Sequence, residues 1–150
     1  MPESLNQFLN KRHEKGKRAY ESMADFGAWD GFYKTLSSSY PDNAHFVFEL
    51  LQNAEDAKAT KVRFELSDES LTFKHNGSKD FNKKDIESIT NVGNSTKTEE
   101  LNTIGKFGVG FKSVFAYTTS PKIYSKTISF KIEKLFIPSL IDPKPITGGY

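Results

Sequence analysis

The spacing of apolar and polar positions changes along the chain, and each change marks an element. Residues 3–24 place Leu5, Phe8 and Leu9 at helical intervals among basic and acidic positions, and a shorter helical stretch covers residues 29–36 before Ser37-Ser38-Ser39. Tyr40-Pro41-Asp42-Asn43 reads as a turn and helix cap. The segment that follows, residues 46–57, is apolar except for a row of acid, amide and acid. On a helix turning about 100° per residue, Glu49, Asn53 and Asp56 fall within an arc of roughly 60°. Phe46, Val47, Leu50, Leu51, Ala54 and Ala57 take a broad arc on the other side, which predicts a helix pressing its polar edge against something.

Beyond that helix the period drops to two. Val62, Phe64 and Leu66 alternate with polar residues, Leu71 and Phe73 do the same, and Ser67-Asp68-Glu69-Ser70 joins the runs, so the pair predicts an antiparallel hairpin. Continuing the alternation puts His75 on the inward face, and Asn76-Gly77 ends the strand. A short helix is expected over residues 82–89, with Asn82 as cap and Asp85 in its first turn. Residues 90–105 have no period and predict a long polar loop, a candidate lid. The glycine run Gly105-Lys106-Phe107-Gly108-Val109-Gly110 leads into a helical spacing over residues 111–116. Two further strand-like runs occupy residues 122–125 and 128–132, followed by a tail over 137–150 bearing Pro138, Pro143 and Pro145.

Composition narrows the class. A chain of 150 residues, 36% hydrophobic, 27% charged and with 13 phenylalanines, suits one soluble globular domain with a substantial core. A net charge of +2 gives no indication of nucleic-acid binding, and the basic run at residues 11–18 is interrupted by Glu14 and fits a solvated helix face. With no cysteine, thiolate metal sites and disulfides are excluded. No signal peptide or run of transmembrane length is evident, so no membrane partner and a cytoplasmic location are expected.

Two features could carry chemistry. A glycine-rich turn entering a helix lets an anion approach backbone amides, although tight packing explains such a cluster equally well. Its G-x-x-G-x-G spacing is neither the dinucleotide fingerprint nor a P-loop. On the acid–amide helix, the Asn53 amide suits Mg²⁺, a hard cation that prefers oxygen, and Glu49 beside it could orient or deprotonate a water. Helix, Asn-Gly strand end, polar loop and glycine turn, in that order, describe a nucleotide site with a cover.

These residues carry a resemblance. Glu49-Leu-Leu-Gln-Asn53-Ala-Glu-Asp56-Ala57 resembles the E-x-x-x-N-A-x-D-A box of the GHKL ATPase superfamily of gyrases, heat-shock-protein-90-class chaperones, histidine kinases and MutL. Ile104-Gly105-Lys106-Phe107-Gly108-Val109-Gly110-Phe111 is similar to the second glycine box of its chaperone branch. Phe73-Lys-His-Asn-Gly77 with Ser95-Thr96-Lys97 most resembles the sacsin-like branch. The resemblance implies an α/β fold, a Bergerat-type two-layer sandwich with helices on one face of a mixed, mostly antiparallel sheet. It implies a single nucleotide-binding domain over 1–150, either a compact relative or a C-terminally truncated piece of a longer protein.

It further implies an ATP-binding, Mg²⁺-dependent ATPase module in which Glu49 activates water, Asn53 holds the metal and Asp56 borders the nucleotide. Amides around Gly105, Phe107, Gly108, Val109, Gly110 and Phe111 would hold phosphates. Lys97, Lys106 and Lys112 are candidate phosphate partners, with a solvated surface as the alternative for each. His75, Asn76 and Gly77 stand where the superfamily has a D-x-G-x-G box, so His75 is either a base contact or an ordinary inward side chain. Expected partners are ATP or ADP, other domains of a longer chain or partner proteins, and a nucleotide-dependent dimer. The rival expectation is a degenerate fold of the same type that binds without efficient hydrolysis.

Overall fold

The computed structural model describes residues 1–38, 45–91 and 110–145. Helix α1 (Leu5–Phe26) is opened by a reciprocal cap, in which Ser4 Oγ accepts from the Gln7 amide and the Gln7 side chain accepts from the Ser4 amide. It is closed by Gly27 at φ +84°, a left-handed position that favours glycine. Helix α2 (Trp29–Ser37) turns back on α1, with Trp29 edge-on to Tyr20 at 4.9 Å. Helix α3 (His45–Asp56) follows.

Strands β1 (Val62–Leu66) and β2 (Leu71–His75) form the expected antiparallel hairpin, with Phe64 opposite Phe73 at 4.7 Å. Its polar face is organised by Glu65, which Lys74 and Arg63 meet at 3.2 and 3.4 Å. The alternation predicted a buried apolar face. Instead every residue of β1 is exposed, Leu66 to 84%.

Helix α4 (Lys83–Thr90) carries the expected cap, Asn82 and Asp85 exchanging side chain-to-backbone hydrogen bonds of 3.1 and 3.0 Å. A 3₁₀ segment (Gly110–Ala116) stands where the spacing predicted a helix. Strands β3 (Lys122–Tyr124), β4 (Ser129–Glu133) and β5 (Ile137–Leu140) then make a second antiparallel sheet in the order β3-β4-β5. The chain is thus an α/β two-layer sandwich, and every strand pairing among the described residues is antiparallel.

Strand β5 lies in the segment expected as a tail. Its proline obscured it, yet Pro138 is tolerated on an edge strand, where its missing N–H costs no ladder bond. The connection from β4 uses Lys134 and Leu135 at φ +52° and +71° rather than glycine. That backbone is costly for a branched residue. It is held by burial of Leu135, which is 2% exposed, and by a bond to its carbonyl described below.

The core lies between this sheet and the helices. Leu9 of α1, Ile86 and Ile89 of α4, Phe130 and Ile132 of β4 and Leu135 are fully or nearly fully buried. Helix α1 approaches β5 closely at Gly16, where a Cβ would lie 3.2 Å from Ile137 and 3.3 Å from the Phe136 carbonyl. His13 on the same helix donates through Nδ1 to the Pro138 carbonyl at 2.9 Å. No described helix is long and apolar enough to cross a membrane.

Candidate functional site

Helix α3 organises the site because each of its ends is met by a glycine, Gly77 against Ala57 and Gly110 against the Glu49 side chain. Ala54, near its C-terminal end, is buried, Ala57 is buried just beyond the helix, and Asn53 is half-buried on the adjoining edge. The arc expected to be wholly buried is only partly so: Phe46, Val47 and Leu50 are half-buried and Leu51 is exposed.

At the N-terminal end, Glu49 Oε1 lies 2.9 Å from Nε2 of His45, one helical turn earlier. The rest of the carboxylate is seated against Gly110, so that a Cβ built there would overlap Glu49 Oε2, Cδ and Cγ. Phe46 of α3 also meets Tyr117, just beyond the 3₁₀ segment, at 4.6 Å between rings. Two sequence-predicted residues 61 positions apart, Glu49 and Gly110, are therefore side by side. His45 was not predicted, although its spacing four residues before Glu49 was visible in the sequence.

At the other end, Gly77 packs against Ala57, with a Cβ there falling 2.7 Å from Ala57 Cβ and 2.8 Å from its carbonyl oxygen. The Ser78 amide donates to that carbonyl at 3.0 Å, and the Gly77 amide donates to His75 Nδ1 at 3.0 Å. Because the Ala57 atoms are backbone and Cβ, they cannot rotate aside. Gly77→Ala should cost roughly 1–3 kcal/mol, read as a lowered denaturation midpoint.

Asn76 turns out to be a clamp. Its Oδ1 accepts from the Thr60 and Lys61 amides at 2.8 and 2.9 Å, and its Nδ2 donates to Thr60 Oγ1 at 2.8 Å. His75 is half-buried, and burial lowers its pKa below the ordinary histidine value. Asp56 is exposed and accepts from Gln52 Nε2 at 3.3 Å.

Phe111 and Lys112 follow Gly110 into the core. Lys112, expected beside phosphates, sends its ammonium into the interior, where it donates to the carbonyls of Ile89 and Leu135, the latter at 2.7 Å. Desolvation, with a smaller push from Arg12, lowers its pKa to about 7. It ties the end of α4 to the left-handed Leu135. Arg12 of α1 braces the same helix end through Thr90 Oγ1 at 2.8 Å and Asn91 Oδ1 at 2.9 Å. No local signal in the sequence could pair residues so distant. Lys97, Gly105, Lys106, Phe107, Gly108 and Val109, with most of the expected loop, lie outside the described residues. A cavity of about 380 Å³ beside α1 is lined by Arg12, Gly16, Met23, Thr90 and Phe136 among others, and no residue of α3 borders it.

The donor set fits a magnesium ion held largely by its substrate. Among the described residues no three of His, Asp and Glu converge as a metal cluster. Asn53 is half-buried one helical turn after Glu49, and an amide oxygen is the kind of donor taken by an ion that keeps waters and phosphate oxygens.

Comparison with known proteins agrees with the resemblance at its coarser level. The family described as "Sacsin domain" matches residues 66–143. Protein NO VEIN of Arabidopsis thaliana is 32% identical over 149 residues, covering 92% of this chain and 5% of its own length. Sacsin of Homo sapiens is 33% identical over 111 residues, 62% of this chain and 2% of its own. Chaperone protein HtpG of Wigglesworthia glossinidia brevipalpis is 36% identical over 131 residues, 64% of this chain and 20% of its own. The chain thus spans a fifth or less of each of these relatives. No solved structure matches it. The family match takes in His75-Asn76-Gly77, α4, the 3₁₀ segment and β3 to β5, the elements that hold one side of α3 and carry the core. The chain belongs to the sacsin-domain family.

Proposed function

We propose that this domain is a GHKL-type module that binds ATP with Mg²⁺ and hydrolyses it. The observation that carries the reading is the seating of the Glu49 carboxylate against Gly110, which joins an acid–amide helix to the end of a glycine run. Chaperone-named and sacsin relatives support it at the level of family.

Each residue then has a task. His45 holds Glu49 Oε1, leaving the other carboxylate oxygen at the glycine turn, where a water would lie. Glu49 accepts a proton from that water as its oxygen attacks the γ-phosphorus. The bond from phosphorus to the β–γ bridging oxygen breaks, and ADP leaves with the electron pair. Asn53 supplies the protein oxygen for Mg²⁺, which when bound offsets the charge of the phosphates. The amides of Gly110 and Phe111, together with residues 105–109, are assigned to the phosphates. Lys97 and Lys106 remain candidate partners there. Lys112 positions the 3₁₀ segment from within the core. Asp56 and the His75–Gly77 turn border the base end, about 10 Å along the helix from Glu49.

Residues 90–105 are assigned as the cover that couples nucleotide state to neighbouring domains or partner proteins, with a nucleotide-dependent dimer as one output. Saturating Mg²⁺ and nucleotide should raise the melting temperature by roughly 5–10 °C at a hundredfold excess over Kd. Asn53→Ala should abolish the rise, and a wild-type chain that no nucleotide stabilises would overturn the proposal.

A further inference from the structure

We propose that strand β1 pairs antiparallel with β1 of a second copy of this chain, joining two hairpins into one sheet in the order β2-β1-β1-β2. The pairing needs no nucleotide and does not rest on the nucleotide reading.

Half of the backbone groups of β1 are already spent. The hairpin register sets Arg63 opposite Lys74 and Glu65 opposite Thr72. The Asn76 amide donates to the Lys61 carbonyl at 3.2 Å and the Ser67 amide to the Ser70 carbonyl at 2.9 Å, which marks the odd-numbered positions of β1 as the hydrogen-bonded ones. The amides and carbonyls of Arg63 and Glu65 therefore face β2, and those of Val62, Phe64 and Leu66 face away from it. No described residue hydrogen-bonds to this outer row. Neither proline nor a bulge interrupts the strand, and every residue of it is exposed. Such an edge is a template for another strand.

The strand is its own complement. When two copies meet about a two-fold axis through Phe64, Phe64 faces its own copy, and Val62 of each chain faces Leu66 of the other. All three belong to the outer row, so each pairing exchanges two backbone hydrogen bonds. On the polar face Arg63 of each chain then stands opposite Glu65 of the other, at the closer, non-hydrogen-bonded spacing. Glu65 already gathers Lys74 and Arg63 of its own hairpin there, at 3.2 and 3.4 Å, so the second arginine joins an existing ion-pair cluster.

Charge also fixes the register. Moving the axis by one residue keeps the outer rows paired but sets Arg63 against Arg63, or Glu65 against Glu65. On the other face Val62, Phe64 and Leu66, exposed to 41%, 37% and 84%, lose water along the new seam. The outer edge of β2 has no such match. Phe73 is flanked there by Thr72 and Lys74, so an axis through it pairs lysine with threonine, and the strand is half-buried from Phe73 onward.

The test is analytical ultracentrifugation of the full 150-residue chain without nucleotide. Its mass should rise from 17.0 kDa toward twice that value between roughly 10 μM and 1 mM, as suits a small interface. Arg63→Glu and Glu65→Arg each set like charges opposite one another across the seam and should weaken self-association roughly tenfold or more. An equimolar mixture of the two variants restores opposite charges and should pair about as tightly as the wild-type chain, which association through apolar side chains alone would not do. A wild-type chain that stays monomeric at about 1 mM would overturn the pairing. So would folded single variants that self-associate undiminished, or a mixture that does not recover. If a charge variant does not fold, Leu66→Lys decides in its place: Leu66 has little to lose in the single chain, and undiminished association of that variant would overturn the pairing as well.

Discussion

Gly110→Ala should leave the domain folded while phosphate release falls by about two orders of magnitude or more. The added Cβ would overlap the end of the Glu49 side chain, not backbone. Three rotatable bonds let that carboxylate swing away. The expected stability cost is below about 1 kcal/mol. The functional cost is large, because the proposed general base no longer lies at the glycine turn. The variant should resemble Glu49→Ala in phosphate release while still gaining thermal stability from Mg²⁺ and nucleotide. Undiminished phosphate release from a folded Gly110→Ala chain would remove Glu49 from the mechanism. A wild-type chain that binds nucleotide but releases no more phosphate than Glu49→Ala would instead favour a binding module.

The second large effect is a pH dependence of stability set by Lys112. Its pKa is lowered from 10.5 to about 7 in the folded chain, chiefly by desolvation. Below pH 7 both folded and unfolded states hold the proton, and the penalty for burying the charge is fully present. Between about pH 7 and 10.5 the folded chain releases the proton while the unfolded chain keeps it. The unfolded state then binds more protons, so stability rises with pH. Integrated over that window the gain is of order 5 kcal/mol. Denaturant unfolding at pH 6.5 and 9.5 should show the rise. Lys112→Met, which has no group to titrate, should lack most of it. Its absolute stability at one pH is less diagnostic, because the carbonyls of Ile89 and Leu135 would lose a donor. Equal slopes in the two chains would show that Lys112 does not pass through its titration in this window.

Lys112 also marks a limit on reading chemistry from position. Next to a glycine run, a lysine suggests a phosphate partner. Here the backbone of the 3₁₀ segment turns it inward, and two carbonyls take its hydrogens. The end of α4 is fastened in the same way, by an arginine 78 positions from Thr90. These bonds depend on where helices and turns come to rest.

What the sequence determined by itself was local. The period-two runs specified the β1–β2 hairpin, Asn82 and Asp85 specified the start of α4, and the acid–amide spacing placed Glu49 and Asn53 along one edge of α3. Each depends on neighbours within a few residues, whose geometry the backbone dictates. The sequence left three things open, and tertiary packing decided them. A strand containing Pro138 forms because α1 and β4 bury it, and the turn before it takes left-handed residues because Leu135 is enclosed and its carbonyl bonded. Whether the hairpin's apolar face would be covered also depended on distant packing, and β1 is exposed. Only the approach of α3 to two remote glycines put Glu49 against Gly110 and Ala57 against Gly77, because such contacts are set by the paths of separate segments and not by periodicity within any one of them.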